Sequence, residues 1–353
     1  MAKTQKHHDY HEQNDINNML KLREISTTLP LFCREFFLGI KDTTTTRTRL
    51  AYAYDLQLFF EYLHKYNPIC RKIPITELNI KILDMIEAID ITGFMDYLTF
   101  YVKNGKEYTN DARGKQRKLS ALRSMYNYFY RAEKIEKNPA SRVPTPKIHE
   151  KEIIRLDIDE VVQLLDNVES GEKLTPKQMS YHEKTKVRDL AIMTLLLGTG
   201  IRVSECVGLN IQDVDFNNNG LFIKRKGGYE QIVYFGDEVE KELREYCKER
   251  SHLIAVSGSE KALFLSLQGK RMSVRTVEKL VKKYANTVTT IKRITPHKLR
   301  STFGTSLYNE TGDIYLVADI LGHKDVNTTK KHYAAQNQIR LRRAANAVKL
   351  REY

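Results

Sequence analysis

Asn138-Pro139, with Pro144 and Pro146 close behind, places three of the chain's eight prolines within eight residues. Proline fixes φ and offers no backbone N–H, so neither a helix nor a central strand runs through such a stretch. An extended linker does. This break divides 353 residues into two parts, each long enough for its own core. The boundary is therefore expected near 140–152.

The two parts differ in pattern. Before the prolines, Leu56, Phe59, Phe60 and Leu63 recur at i, i+3, i+4 and i+7, and Leu119, Leu122, Tyr126 and Phe129 do so again. This is the period of a helix with one buried face. Thr43 to Thr46 make a polar turn before the first long helix, and Asn104-Gly105 breaks the chain before a basic helix. After the prolines, Asp189–Leu197 reads as an apolar helix closed by Gly198 and Gly200. The period then changes. Asn217–Gly220 is a turn, Leu221–Lys224 a strand, Gly227-Gly228 a second turn and Gln231–Phe235 a second strand, with a helical pattern from about 238 to the end.

The expected fold is mainly α. A polar tail over 1–22 precedes an all-helical domain over 23–140. A linker over 141–152 leads to a mostly helical domain over 153–353 with a small antiparallel β-sheet, an α+β unit. His7, His8 and His11 fall in the tail and are read as exposed rather than metal-binding.

Charge narrows the function. The net charge is +14. Residues 103–148 carry 12 basic and 4 acidic side chains, and residues 270–300 carry 10 basic and one acidic. A solvated helix face explains one such run. Two runs, one per domain, suit the phosphates of a duplex, with Arg113, Lys115, Arg117, Lys118, Arg123, Arg271 and Arg275 as the candidate contacts. No apolar run reaches the ~18 residues of a membrane span, so no membrane partner is expected. The start of the chain lacks the apolar core of a secretory signal. Four scattered cysteines (33, 70, 206 and 247) fit reduced thiols in a cytoplasm. The Walker phosphate loop and GxGxxG are absent, and no carboxylate cluster suits two metals, so no cofactor or metal is expected.

Four local clusters can carry chemistry. In Thr295-Pro296-His297-Lys298-Leu299-Arg300, Thr295 suits an N-cap and Pro296 the first helical position. His297 and Arg300 then share one face of a helix start that favours anions. A phosphate clamp and a solvated basic helix start both fit. In Thr199-Gly200-Ile201-Arg202-Val203-Ser204-Glu205, Arg202 follows a helix-ending glycine, and Glu205 is placed to hold it. A structural ion pair fits equally. Lys226 lies at a hairpin tip, as many surface lysines do. Gly322-His323 and Tyr333 close the set, and nothing local singles out Tyr333 among twenty tyrosines.

The order of these residues is informative: Arg, Lys on a hairpin, His-x-x-Arg, Gly-His, then Tyr. It resembles the tyrosine recombinase (phage integrase) family, and within it the Xer-like bacterial recombinases. The matching stretches are 189–215, the hairpin around Lys226, 295–307 and 318–334, and the helical first half resembles the family's core-binding, DNA-binding domain. The resemblance implies Tyr333 as nucleophile, Arg202 and Arg300 as phosphate clamp, and His297 paired with the tyrosine. It implies Lys226 as general acid, His323 as a sixth active-site position and Glu205 as an acidic support. Ten residues separate His323 from Tyr333 where nine is commoner, and the next tyrosine is Tyr353.

The activity so implied is site-specific cutting and rejoining of double-stranded DNA through a 3′-phosphotyrosine, in a bacterial, nucleoid-associated protein. A homotetramer on paired sites is implied, with the helical stretch 335–353 docking on a neighbour. So is a possible directionality factor or second recombinase. The polar amino-terminal extension tilts the expected role towards integration and excision of a mobile element. Chromosome-dimer resolution or DNA inversion is the alternative, and a silent DNA-binding protein or a type IB topoisomerase-like enzyme are the competing readings.

Overall fold

A computed structural model of the chain describes residues 9–148, 154–225, 229–322 and 326. It divides into two compact units, Met1–Lys151 and Glu152–Tyr353.

The first unit is built on α1 (Tyr10–Ser26), α2 (Phe32–Gly39), α3 (Thr46–Tyr66), α4 (Ile82–Met85) and α5 (Ala88–Tyr97), then β1 (Phe100–Lys103), β2 (Lys106–Thr109) and α6 (Ala112–Arg131). The stripes read from the sequence form its core: Leu56, Phe59, Phe60 and Leu63 of α3 and Leu119, Leu122, Tyr126 and Phe129 of α6 are all buried. Phe32 bridges them, edge-on to Phe60 and Phe129 at 5.9 and 5.6 Å. Asp111 caps α6 by accepting from the Gly114 N–H at 2.8 Å.

Three expectations change here. The expected tail is helical from Tyr10. Asp9 and Glu12 form a reciprocal capping box (Asp9 Oδ1 from the Glu12 N–H, 2.7 Å), while only Leu22, Ile25 and Ser26 turn inward. A helix with so little apolar surface shows almost no periodicity. Asn104-Gly105 is not only a break but the turn of a two-stranded hairpin, β1–β2, with φ of 52° and 70°. Both values are left-handed, as a tight two-residue hairpin turn demands. Across it Tyr101 stacks on Tyr108 at 5.2 Å, and Tyr101 in turn on Tyr97. Finally, the start of the expected linker belongs to the first unit. Val143 is buried in its core, and Arg123 donates to the carbonyls of Ala140 and Val143 and to Thr145 Oγ1.

The second unit contains α7 (Ile158–Ser170), α8 (Pro176–His182), α9 (Lys186–Thr199) and α10 (Val203–Gly208), then β3 (Val214–Asp215), β4 (Gly220–Lys224) and β5 (Glu230–Tyr234). It continues with α11 (Asp237–His252), α12 (Val274–Ala285), α13 (Pro296–Thr311) and α14 (Ile314–Leu321). Apolar on nearly every side, α9 is packed between α7, α11 and α13. The strands pair antiparallel in the order β3-β4-β5, with Leu221 opposite Val233 and Ile223 opposite Gln231.

The expected continuous helical pattern after 238 is interrupted. Residues 253–273 are irregular, and Arg250 ties them down through the carbonyls of Ala262, Leu253 and Glu260. The stretch 335–353 lies outside the described residues.

Candidate active site

The site begins where α9 stops. Gly200 ends that helix at φ 61°, and a Cβ there would lie 2.3 Å from the Phe303 ring, so both conformation and space call for glycine. Ile201 follows, and Arg202 becomes the N-cap of α10. Glu205, one turn on, is 5% exposed. Its Oε2 accepts from the Arg202 N–H at 2.8 Å and its Oε1 from Arg202 Nη1 at 2.9 Å. One carboxylate thus fixes both ends of the same arginine.

From α13 comes Arg300, 3% exposed, which donates from Nη1 to the Gly200 carbonyl at 2.6 Å and from Nη2 to the Leu321 carbonyl. Thr295 occupies the N-cap of α13 with Pro296 after it, but no hydrogen bond from its side chain caps the helix. His297 sits exposed in the first turn, and its carbonyl accepts from Ser301 Oγ at 3.1 Å.

The C-terminal end of α14 collects the rest. The last carbonyls of a helix lack intrahelical partners and form the negative end of its dipole, so cations gather there. Here they take arginines: Arg225 Nη2 on the Ile320 carbonyl at 2.8 Å, Arg225 Nη1 on Leu321 at 3.0 Å and Arg202 Nη2 on Gly322 at 3.3 Å. Gln231 Nε2 reaches the Asp319 carbonyl at 3.2 Å. Gly322, at φ 60°, ends the helix in the left-handed region. Burial pulls the Arg225 guanidinium below its ordinary pKa, with Glu205 opposing the drop and Arg202 adding to it. Cys206, beside Glu205, is sealed from solvent, and burial pushes its thiol up to about 12.

Arg300 thus meets Arg202 and Glu205, nearly a hundred residues earlier in the chain, at one place. Lys226, His323 and Tyr333 lie outside the described residues. Arg225, the residue before Lys226, and Gly322, the residue before His323, belong to the cluster.

Sequence reasoning missed Arg225, hidden in the run Lys224-Arg225-Lys226. The signal was present: Leu221 and Ile223 face inward along β4, and alternation puts Arg225 on the same side.

The seven candidate DNA contacts separate. Arg113 and Arg275 stand exposed at the starts of α6 and α12. Lys115 donates to Thr99 Oγ1 at 2.6 Å. Arg117 grips the buried Asp55 with both Nη atoms, and Lys118, itself buried, donates to Asn110 Oδ1 at 2.8 Å. Burial raises the Asp55 pKa and lowers that of Lys118. Arg271 spends its donors on the carbonyls of Val207, Gly208 and Leu209 and on Asn210 Oδ1. Lys118, Arg123 and Arg271 thus also brace the fold: each basic run contains side chains that close carbonyls and carboxylates of its own unit.

No helix among the described residues is long and apolar enough to cross a membrane. Comparison with known proteins bears on most of the chain. Residues 155–340 match the phage integrase family. The tyrosine recombinase XerC of Caldanaerobacter subterraneus subsp. tengcongensis is 36% identical over 321 residues, covering 88% of this chain and 85% of the relative. Tyrosine recombinase XerD of Oceanobacillus iheyensis is 30% identical, covering 83% and 89%.

Among solved structures, XerH site-specific recombinase bound to palindromic difH substrate matches with TM-score 0.64 at 22% identity, covering 86% of this chain and 80% of that one. A lambda integrase dimer bound to a COC′ core site matches with TM-score 0.61 at 16% identity, covering 87% and 95%. The helical first unit and the helical second unit with its small sheet share the fold of these recombinases. The chain belongs to the phage integrase family of tyrosine recombinases, enzymes that recombine DNA at specific sites by cutting and rejoining its strands.

Proposed function

We propose that this recombinase cuts double-stranded DNA through Tyr333, with Arg202, Lys226, His297, Arg300 and His323 completing its active site. The observation that supports this is the convergence of Arg202 and Arg300 at the end of α14, one residue before His323 in the chain. A tyrosine hydroxyl titrates near ~10 and is a weak nucleophile at neutral pH. His297 takes its proton as Oη attacks phosphorus, and the two guanidiniums stabilise charge on the non-bridging oxygens. Their planar forks suit this task better than lysine would. Lys226 gives a proton to the departing 5′ oxygen, and His323 adds a hydrogen bond. The phosphotyrosine preserves the ester, so rejoining needs no external energy source.

Arg113 and Arg275, exposed on separate units, are the leading phosphate contacts, with Lys115 beside Arg113. The enzyme works as a homotetramer on paired sites, with the 335–353 segment linking neighbours and a second recombinase or directionality factor as further partners. It acts in the bacterial cytoplasm on nucleoid DNA. Relatives named XerC and XerD favour chromosome-dimer resolution over integration and excision of a mobile element, reversing the tilt drawn from the amino-terminal extension. That extension is in part the capped helix α1.

The test is a nicked duplex carrying the site that the full-length protein selects from a randomised pool. Wild type forms a covalent protein–DNA adduct and Tyr333→Phe does not. An adduct with the Phe variant removes Tyr333 as nucleophile. Arg300→Ala abolishes cleavage while site binding persists, and parallel loss of binding makes Arg300 an affinity contact instead.

A further inference from the structure

Arg225 is a buried cation that the reaction does not require by its chemistry. It is 7% exposed and stands where β4 leaves the sheet. Its backbone N–H donates to the Tyr229 carbonyl at 2.7 Å, closing the base of the hairpin. Its side chain holds three other segments. Nε donates to Gln231 Oε1 at 2.8 Å on β5, Nη1 and Nη2 cap the Leu321 and Ile320 carbonyls of α14, and Nη1 lies 3.6 Å from Glu205 Oε1 on α10.

Two of these acceptors are shared. Glu205 Oε1 also receives Arg202, and the Leu321 carbonyl also receives Arg300. Behind the guanidinium, a Cβ on Gly322 would come within 2.7 Å of its Cζ, so the helix end is shaped around it. Burying a guanidinium is costly. An apolar side chain would fill the space more cheaply, but it would not join a strand end, a helix end and the carboxylate that holds Arg202. The next residue in the chain is Lys226.

We infer that Arg225 is a positioning residue for strand cleavage: it anchors the end of β4, and so the entry of the chain into Lys226, to the cluster formed by Arg202, Glu205, Arg300 and the α14 carbonyls. This rests on Lys226 being the general acid. Loss of Arg225 then impairs protonation of the leaving group more than phosphate binding.

The experiment uses the full-length protein and the nicked duplex in two forms, one with the natural bridging oxygen at the 5′ side of the scissile phosphate and one with sulfur there. In both, the Tyr333 Oη–P bond forms and the bond from phosphorus to the 5′ atom breaks. Oxygen leaves with a proton, whereas sulfur leaves as the thiolate and needs none. Arg225→Gln is expected to cut the oxygen duplex about 10²-fold slower than wild type and the sulfur duplex within about tenfold of it, matching the worth of a general acid. Lys226→Ala is the control. If sulfur does not rescue Lys226→Ala, the assignment of Lys226 fails. If sulfur rescues Lys226→Ala while Arg225→Gln is slowed equally on both duplexes, or on neither, the inference about Arg225 is overturned. Arg225→Lys keeps the charge but not the fork, and carries the same comparison should Arg225→Gln no longer bind duplex. A smaller, sulfur-rescued defect supports the inference, and equal slowing on both duplexes overturns it.

Discussion

Replacing Glu205 by alanine tests the electrostatic arrangement of the site. Its carboxylate, 4% exposed in its side chain, faces Arg225, whose side chain is 6% exposed, and Arg202, whose side chain is 37% exposed. Removing one partner of a buried pair costs about 3–5 kcal/mol, because the other charge is left in low dielectric. Water screens the Arg202 half, which contributes about 0–1 kcal/mol. Most of the loss therefore arises at Arg225, which keeps its bonds to Gln231, Ile320 and Leu321. That retention places the total at the low end, about 3 kcal/mol. At about 2–4 °C per kcal/mol for a domain of roughly 200 residues, the melting transition of the second unit falls by about 6–12 °C. Glu205→Gln keeps one accepting oxygen and loses the charge, so about half that drop is expected. Calorimetry on the full chain measures both. Glu205→Leu/Arg225→Leu should be more stable than either single variant, since neither charge is then stranded. A Glu205→Ala transition within about 2 °C of wild type, under 1 kcal/mol by the same conversion, refutes the reasoning.

Three further outcomes follow from other parts of the molecule. Gly200→Ala forces a side chain into φ 61° against the Phe303 ring and should lose about 2–4 kcal/mol in urea denaturation, with Gly200→Ala/Phe303→Leu recovering part of it. His182 is 2% exposed, its Nδ1 lies 2.9 Å from Tyr284 Oη, and its Nε2 has no partner among the described residues. Burial, and then Lys283, hold its pKa below the ordinary ~6.5, so stability is present above that value and is lost as pH falls through the folded pKa. Thermal melts from pH 7.5 down to about 5 should show this slope, and His182→Phe should flatten it. Arg113→Ala and Arg275→Ala should each weaken duplex binding and reduce the slope of log affinity against log salt by about one. Arg123→Ala and Arg271→Ala should leave that slope intact and lower the urea midpoint, as anisotropy titrations paired with unfolding curves would show.

What was legible in the sequence is what repeats locally. The stripes of α3 and α6 announce themselves because each buries one apolar face, and the strands either side of Gly227-Gly228 do so through period two. Helix α1 escapes because its order comes from Asp9 and Glu12 rather than from an apolar stripe. The hairpin β1–β2 escapes because four residues a side give too little alternation. Long-range partners are the largest gap. Arg225, Arg271 and Arg123 look like any surface cation in a basic run, since their acceptors are mostly backbone carbonyls, which carry no residue identity. Arg202 and Glu205 were readable as a pair because three residues separate them on one helical turn.

The acceptors at the end of α14 have a consequence for how the sequence can drift. Carbonyls of Ile320 and Leu321 are supplied by whatever residue stands there, so apolar exchanges at these positions leave the bonds to Arg225 and Arg300 in place. The bracing therefore presents a small mutational target: Arg202, Arg225, Arg300 and Glu205 on the donor and counter-charge side, and Gly200 and Gly322 where the backbone turns left-handed. A saturation scan of 314–322 selected for recombination should tolerate many apolar side chains at 320 and 321 and almost none but glycine at 322.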